Sequence, residues 1–351
     1  MSSFAIGLII SILIYLTIGY IAGRRVKHLE DFYVAGRNAP TMLIVGTLVA
    51  SFLSTNAFMG EVGMSYQGHG ALILLLVAIN SLGYILGALF FGRYLRRSKA
   101  LTVPEFFGTR FASKRIQMAT GITVVIGLAA YMLAVTLGLA ILVTQVSGLS
   151  YPVAVILVWL GYTLFTLYSG SEGVILTDTI MFMLFVSVAV MAAFFIVDAT
   201  GGMHLAIESL ALFENKPDIL SWHGMVGPHT NWETTTDAII WSFILGSAWG
   251  IVVAVSPWQA SRYLMARDEH TVLRSACGAC IAVILMYLVT IFGAAAVNLV
   301  NPDIVPAESV MIWTAMNLMP DIAGVILVSG IMAAGLSSAS TFLSLVGFSV
   351  S

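Results

Sequence analysis

Charged residues are scarce in this chain, at 9% of 351 residues, against about 25% in a typical soluble domain. With 59% hydrophobic residues the chain has too little charge to keep its surface in water, which excludes an ordinary soluble protein. The sequence also has no long basic segment, and its net charge of −2 gives no reason to expect a nucleic-acid partner. We therefore predict a multi-pass integral membrane protein in contact with the lipid bilayer.

Cysteine is nearly absent, with Cys277 and Cys280 as its two examples. They lie three residues apart in an apolar helix without a redox-fold pattern around them, so we expect small hydrophobic behaviour. No histidine pairs with a cysteine or a carboxylate at ligand spacing, so no transition-metal site is predicted. The sequence has no nucleophile–base pair and no phosphate-binding glycine loop, and we predict no enzyme.

Long apolar runs are abundant, and they set the architecture. Nine stretches have about the 20 apolar residues that a membrane-spanning helix needs. They cover approximately residues 4–22, 41–66, 71–91, 118–146, 151–168, 173–197, 238–255, 275–300 and 322–350. We predict an all-α membrane protein with a single transmembrane domain over residues 1–351.

The basic residues between the predicted spans are distributed very unevenly. Fourteen of the 15 lie on one side if the N-terminus is outside, and only Lys216 lies on the other. The inner group comprises Arg24, Arg25, Lys27, Arg37, Arg93, Arg96, Arg97, Lys99, Arg110, Lys114, Arg115, Arg262, Arg267 and Arg274. Basic loops stay on the cytoplasmic side, so we predict an outer N-terminus in a bacterial inner (plasma) membrane. Short surface helices are expected at residues 204–213 and 306–319.

Two of the predicted spans are interrupted by polar and small residues. The second carries SFLSTN at residues 51–56, and the seventh carries GSAWG at residues 246–250 and then Ser256-Pro257. Lipid cannot satisfy freed backbone groups, so a break of this kind is tolerated where it lines a site. The alternative is that small residues merely allow close helix packing. Broken helices at corresponding positions are typical of the ion and substrate site of a secondary transporter.

The two broken spans run in opposite directions and are five spans apart, which indicates an inverted-topology repeat. The first repeat is predicted at about residues 40–199 and a partial second repeat at about residues 236–351. We expect a C-terminally truncated chain, because it stops in the third helix of the second repeat. A channel is disfavoured by the two oppositely directed breaks.

Three segments carry a family resemblance. They are EDFYVAGR at residues 30–37, LTVPEFF at residues 101–107 and GSEGVILTD at residues 170–178. In this order and at these spans, the chain resembles the sodium:solute symporter family over essentially its whole length. The resemblance implies a LeuT-type core of two inverted five-helix repeats preceded by one extra N-terminal helix, with the second repeat incomplete here.

The resemblance also implies a sodium site between the broken second span and the ninth span. Its ligands would be the backbone carbonyls of Ala50, Leu53 and Ala334 and the hydroxyls of Ser337 and Ser338. Na⁺ is a hard cation that prefers oxygen ligands, and these are neutral donors from which it can dissociate. The alternative for the serine pair is ordinary hydrogen bonding back to the helix.

Asp178 lies close to the start of a predicted span. The family places an acidic residue here on the inner sodium route or at a second sodium site, and Thr177 would assist it. The alternative is a carboxylate in interfacial water at a helix N-terminus, where the helix dipole favours it.

Candidate solute contacts come from the breaks and from two aromatic residues. Ser54, Thr55 and Asn56 lie in the first break, and Tyr131 and Trp249 match aromatic positions of proline-type members. Packing is the alternative for both aromatics. Phe52 replaces the acidic residue of those members, which argues against proline. Glu61 is expected to gate the outer path or to pair with a hydroxyl.

The leading hypothesis is a sodium-coupled secondary active symporter that imports a small polar or anionic metabolite by alternating access. Organic acids, amino acids, sugars and vitamins all fit this description. The alternative is a symporter-like sensor or receptor domain of a membrane signalling protein, because some relatives carry a histidine kinase after the transporter half. The sequence gives no prediction of oligomeric state.

Overall fold

The computed structural model describes residues 3–24 and 28–350, and the named elements in these ranges are helical, as predicted. The α-helices are α1 Ser3–Gly23, α2 Leu29–Val34, α3 Thr41–Phe52, α4 Glu61–Met64, α5 Gly70–Gly87, α6 Arg93–Ser98, α7 Val103–Arg110, α8 Lys114–Ser147, α9 Tyr151–Ala199, α10 Met203–Ala211, α11 Thr235–Val255, α12 Pro257–Met265, α13 Glu269–Val297, α14 Val310–Asn317 and α15 Asp321–Val350. Shorter 3₁₀ and π turns connect some of them, at Ala35–Arg37, Asn56–Gly60, Ser65–His69, Ala88–Gly92 and Ala307–Ser309.

Within the described residues, seven helical segments are long and apolar enough to cross a membrane. One of them, Asn56–Ser98, joins the second half of the predicted second span to the third. Gly68 separates these two parts with a φ of 104°, a conformation that favours glycine. The first half of the second span, Thr41–Phe52, is a separate shorter helix.

The predicted fifth and sixth spans differ from the structure. They form one helix of 49 residues, α9, in place of two separate helices. The sequence signals between them were glycine and polar residues, which weaken a helix without necessarily ending it.

The seventh predicted span is interrupted at Ser256, as the Ser256-Pro257 signal indicated, and not at its glycines. Helix α11 continues through Gly246 and Gly250 and ends at Val255, and the chain is non-helical only at Ser256. The glycines serve packing against α5, because a Cβ at Gly83 would lie 2.3 Å from the Gly250 carbonyl oxygen. Small residues allow membrane helices to approach closely, so at residues 246–250 the packing alternative is correct.

The remaining long helices pack around α3 and α15. Helix α15 contacts α1, α8 and α9, and α13 contacts α3 and α5. Because α15 is buried along most of its length, the serines in its middle are held away from lipid. This places the two halves of the predicted sodium site on adjacent helices.

The start of α3 and the end of α12 meet at one end of the molecule. Ala39 and Ala266 form a parallel bridge, with the Ala39 N–H donating to Met265 O at 3.2 Å and the Arg267 N–H donating to Ala39 O at 3.1 Å. Arg37 donates to Lys99 O at 2.6 Å, so several loops of the predicted inner side meet here. Arg25 and Lys27 of that predicted group lie outside the described residues.

At the opposite end, the long loop after α9 folds over the protein. This loop begins with α10. The second predicted short helix is α14, which follows α13, so both predicted short helices are present. The Lys216 ammonium donates to Tyr66 O at 2.8 Å and lies 3.8 Å from the centre of the Tyr66 ring. Burial lowers the pKa of Lys216 to about 8, and nearby Asp303 partly opposes this.

Candidate functional site

Helix α3 stops in the interior of the protein. Leu53 has an extended backbone (φ −71°, ψ 103°), and its N–H makes the last helical bond, to Val49 O at 2.8 Å. The hydroxyl and amide residues that follow compete for backbone groups, which favours a turn over a helix. Accordingly the Ser54 carbonyl accepts from the Ala57 N–H at 3.1 Å and its hydroxyl from the Asn56 N–H at 3.3 Å.

The break frees the carbonyl oxygens at the end of α3, since the last four carbonyls of a helix have no helical donor. The Ser337 hydroxyl donates to Ala50 O at 2.9 Å, and the Ser338 hydroxyl lies 3.4 Å from both Ala50 O and Ser51 O. Both hydroxyls also contact Ala334 O, at 3.0 and 3.2 Å. Four of the five predicted sodium ligands therefore lie in one hydrogen-bonded group.

These four residues are fully buried, at 0% exposure each. The donor set contains two carbonyls and two hydroxyls, and a hydroxyl can donate to a carbonyl or offer lone pairs to a cation. Hard oxygen donors without formal charge fit a monovalent cation that must be released again. Within the described residues, the network that joins the four does not include Leu53, whose role stays a prediction.

Asp178, on α9, contacts α3 at Thr47, one helical turn before Ala50. It also has a charged partner that the sequence did not indicate. Its Oδ2 accepts from the Thr47 hydroxyl at 2.6 Å and from Arg262 Nη2 at 3.1 Å. Arg262 also donates to the Thr341 hydroxyl. The pair is buried, with side-chain exposures of 0% for Asp178 and 2% for Arg262.

The position of Arg262 corrects its assignment to a cytoplasmic loop. It belongs to α12, the part of the broken seventh span beyond Ser256, and is among the buried residues of that helix. Asp178 is likewise buried and does not lie in interfacial water, so the alternative of a solvated carboxylate is wrong. Its neighbour Thr177 does not join the cluster, because its hydroxyl donates back to Gly173 O at 2.8 Å.

The three predicted polar contacts in the first break have different surroundings. Ser54 and Thr55 are buried, at 2% and 4% exposure, whereas Asn56 is exposed. A side chain at Gly138 would collide with Thr55, so Thr55 packs closely against α8. Of the three, Asn56 has the exposed side chain, whereas Ser54 is buried and shares a side-chain hydrogen bond with Tyr131.

Tyr131 and Trp249 lie next to each other, with ring centroids 6.0 Å apart. Two further aromatic residues complete the cluster and were not identified in the sequence. Tyr131 lies 5.5 Å from the ring of Trp258 and 4.8 Å from that of Phe342. Trp258 could have been identified in the sequence as a site candidate, because it lies two residues after Ser256 in the second break.

The second break contains buried polar atoms that have no hydrogen-bond partner among the described residues. Ser256 stands at the N-terminus of α12, yet its hydroxyl does not cap the helix. In the described part of the chain, neither the Ser256 hydroxyl nor the Trp258 indole Nε1 has a hydrogen-bond partner, although both residues are buried. Two unpartnered groups thus belong to the first residues of a nine-residue helix, and Trp258 is part of the aromatic cluster, so an acceptor group would suit this end of α12.

Glu61 lies one turn after the first break and accepts a short hydrogen bond from the Tyr287 hydroxyl. This contact joins α4 to α13. The expectation that Glu61 pairs with a hydroxyl is confirmed.

The interrupted α3, the oxygen group shared with α15 and the break before α12 together define a membrane transporter of the LeuT type. The fold matches that of a Na⁺-coupled sialic acid symporter solved in a substrate-bound outward-open state, with a TM-score of 0.83, 19% identity, and coverage of 99% of this chain and 72% of that one. The model of the sodium:solute symporter family matches residues 32–347. The chain therefore belongs to the sodium:solute symporter family, whose members are transporters and not enzymes and use Na⁺ as the coupling ion.

Curated relatives agree with this assignment. The chain is 24% identical to the sodium/pantothenate symporter of Haemophilus influenzae over 343 residues, which is 95% of this chain and 69% of that protein. It is 23% identical to the sodium/pantothenate symporter of Escherichia coli over 314 residues, 88% of this chain and 63% of that protein. The human sodium/iodide cotransporter is 25% identical over 270 residues, 76% of this chain and 40% of that protein.

Proposed function

We propose that the protein imports a small polar or anionic metabolite together with Na⁺ by alternating access. The observation that carries this proposal is a group of four buried oxygens, in which the hydroxyls of Ser337 and Ser338 each lie within hydrogen-bond distance of both Ala50 O and Ala334 O. Na⁺ would replace the hydroxyl-to-carbonyl bonds of this group. Leu53 O, at the end of the same helix, would supply a further ligand.

The solute would bind between the two breaks. The Ser256 hydroxyl and Trp258 Nε1 supply donors, and the aromatic cluster around Tyr131 and Trp249 supplies an apolar wall. Donors without an acceptor are costly when buried, which supports a solute with acceptor oxygens. Ser54, which shares a side-chain hydrogen bond with Tyr131, and Asn56 would add polar contacts, and a carboxylate, an amide or a hydroxyl-rich solute fits this set.

Asp178 would act at the inner end of the sodium route and not as a ligand of the main site. Thr47 precedes Ala50 by one turn of α3, and Thr341 follows Ser338 by one turn of α15, so the Asp178–Arg262 pair lies just inward of the sodium donors. Its two charges join α9 to α12. The pair would close the path below the ion, and it would separate when Na⁺ leaves.

We also propose that the N-terminus lies outside, in an inner (plasma) membrane. Support comes from the clustering of basic residues of three predicted inner loops, Arg37, Arg97 and Arg267, near the bridge between Ala39 and Ala266. Single cysteines near Lys216 and near Arg97 test this. The first should react with an impermeant reagent added outside, the second should not, and the reverse pattern would overturn the orientation.

Uptake by the full-length protein in proteoliposomes tests the function. An inward Na⁺ gradient should drive accumulation of at least one labelled solute from a panel that includes pantothenate, sialic acid, iodide, amino acids and sugars, and replacement of Na⁺ by K⁺ should abolish it. No sodium-dependent uptake across a broad panel, with normal insertion, would favour the sensor alternative.

The double substitution Ser337→Ala and Ser338→Ala tests the sodium site itself. It removes two of the proposed ligands, so the Na⁺ concentration for half-maximal uptake should rise at least about tenfold, roughly 1.4 kcal/mol. Ser340→Ala is the matched control, because this serine is buried on the same helix and donates to Ser337 O at 3.0 Å. Equal sodium affinities in the two variants would reduce the serine pair to packing residues.

A further inference from the structure

A large groove lies on the side of the protein at the end where the basic loops gather. It has a volume of about 630 Å³, and its wall comes from the Ala88–Gly92 turn, from α6 and α7, and from the ends of α11 and α12. The residues of this α6–α7 groove that matter here are Phe90, Tyr94, Arg97, Arg110, Phe111 and Val255. None of them belongs to the proposed ion or solute site.

The apolar wall of the groove is open. Phe90 is 64% exposed, Phe111 57% and Tyr94 50%, each far more than a ring in a protein core. On α11 the wall continues through Val255 to Ile251, which are 50% and 66% exposed. Since α11 is an apolar membrane-spanning helix, the groove opens onto the surface where lipid chains lie.

Two arginines, Arg97 and Arg110, also line the groove, and Arg97 lies over the Tyr94 ring. Arg97 makes a two-pronged ion pair with Glu269, with both distances 2.9 Å. Arg110, at the last residue of α7, is exposed, and within the described residues no hydrogen bond or ion pair is formed by its guanidinium. An uncompensated positive charge therefore stands at the polar edge of an open apolar groove.

We propose that the α6–α7 groove binds an anionic phospholipid of the inner leaflet. Its acyl chain would lie against Phe90, Phe111 and Val255, and its phosphate would lie at Arg110 with Arg97 beside it. Basic pockets between membrane helices on the cytoplasmic side are suited to anionic headgroups, and arginine stems pack on apolar surface while the guanidinium reaches the interface. A free anion would use the arginines alone and leave the aromatic wall exposed.

Lipid retention by the full-length protein, measured by native mass spectrometry, tests this proposal. After exchange into mixed micelles of dioleoyl phosphatidylglycerol and dioleoyl phosphatidylcholine, the protein should retain phosphatidylglycerol preferentially. Arg110→Gln should lower that retention about fivefold, the effect expected for one basic residue near a membrane surface. Arg110→Lys keeps the charge and should stay within about twofold of the unaltered protein, which also controls for folding.

Two further variants separate a site from general surface charge. Arg115→Gln removes one positive charge at the start of α8, outside the groove-lining residues, and should leave retention unchanged. Val255→Trp should fill the apolar part and lower retention of both lipids. The proposal is overturned if Arg115→Gln and Arg110→Gln act equally, if the two lipids are retained equally, or if the full-length protein retains neither because another part of the chain fills the groove.

Discussion

The two helix breaks satisfy their polar groups in different ways. At the first break, the Ala50 and Ser51 carbonyls accept hydrogen bonds from the Ser337 and Ser338 hydroxyls, so the group is satisfied within the protein. At the second, the Ser256 hydroxyl and the Trp258 indole N–H are buried without a partner in the described part of the chain. The polar groups of the first break are therefore paired within the protein, whereas those of the second are open to a partner from outside it.

The difference follows from the chemistry of the groups. A serine hydroxyl both donates and accepts, so it can bond to a carbonyl in one state and coordinate a cation in another. An indole N–H only donates, and rotation cannot convert it into an acceptor. In the proposed function, the hydroxyls and carbonyls of the first break would suit a reversibly bound ion, and the indole N–H of Trp258 would favour a solute with an acceptor group.

The largest effect is expected where α12, beyond the second break, is tied to the bundle. Arg262→Met leaves Asp178 buried with an uncompensated charge and should destabilise the full-length protein by about 3–5 kcal/mol. The double variant Asp178→Asn, Arg262→Met removes both charges and should recover much of this loss. Thermal unfolding in detergent measures both. A double variant as unstable as the single one would mean that the pair contributes little as a pair.

The close packing of α11 against α5 should be nearly as sensitive to substitution. A methyl group at Gly83 would lie 2.3 Å from Gly250 O, so Gly83→Ala should force the helices apart and cost about 1–3 kcal/mol. Gly127→Ala on α8 is the control, because nothing lies within 4 Å of its added methyl group. If the two variants have the same unfolding temperature, close contact between α5 and α11 is not what the glycines provide.

Trp258→Phe tests the second break without disturbing its aromatic packing. Loss of one donor should raise the KM for the solute roughly fivefold, about 1 kcal/mol. The Na⁺ concentration for half-maximal uptake at saturating solute should change less than about twofold. Sodium and solute dependence measured on the same proteoliposomes give both numbers, and an effect on Na⁺ alone would contradict the division of roles between the breaks.

The smallest effect concerns the loop after α9, which contacts Tyr66 at the end of the first broken span. Burial lowers the pKa of Lys216 from 10.5 to about 8. The unfolded protein thus binds more protons between these values, so folding stability gains from Lys216 as pH rises from about 8 to 10 and shows no such gain below pH 8. We expect this rise in unfolding temperature to be absent in Lys216→Met and retained in Lys114→Met.

The proximity of the proposed sodium ligands was predictable because each half of the group carries a local signal. A polar run inside an apolar span predicts a break, and the break frees the Ala50 carbonyl. A Ser-Ser pair in the middle of another span indicates a second polar face, and the family resemblance joined the two. Four of these residues are indeed together, at oxygen separations of 2.9–3.4 Å.

The pairing of Arg262 and the role of the glycines in the seventh span were not predictable in the same way, although Ser256-Pro257 did indicate the break. Counting charges assigns an arginine near a span end to a loop, and nothing in local periodicity links it to Asp178, 84 residues away. Glycines in a membrane helix carry an ambiguous signal, since they serve both unwinding and close packing. At Gly246 and Gly250 the contact with α5 accounts for the glycines, and such a tertiary contact cannot be read from the local sequence.

The parallel bridge between Ala39 and Ala266 has a mechanical consequence. It ties the start of α3 to the end of α12 by two backbone hydrogen bonds, and the Gln259 amide, also on α12, lies 3.4 Å from Leu48 O of α3. Helix α3 carries the Ala50 carbonyl, and α12 begins with Ser256 and Trp258. We expect α3 and α12 to move together as one rigid unit. Release of the ion and release of the solute would then be coupled.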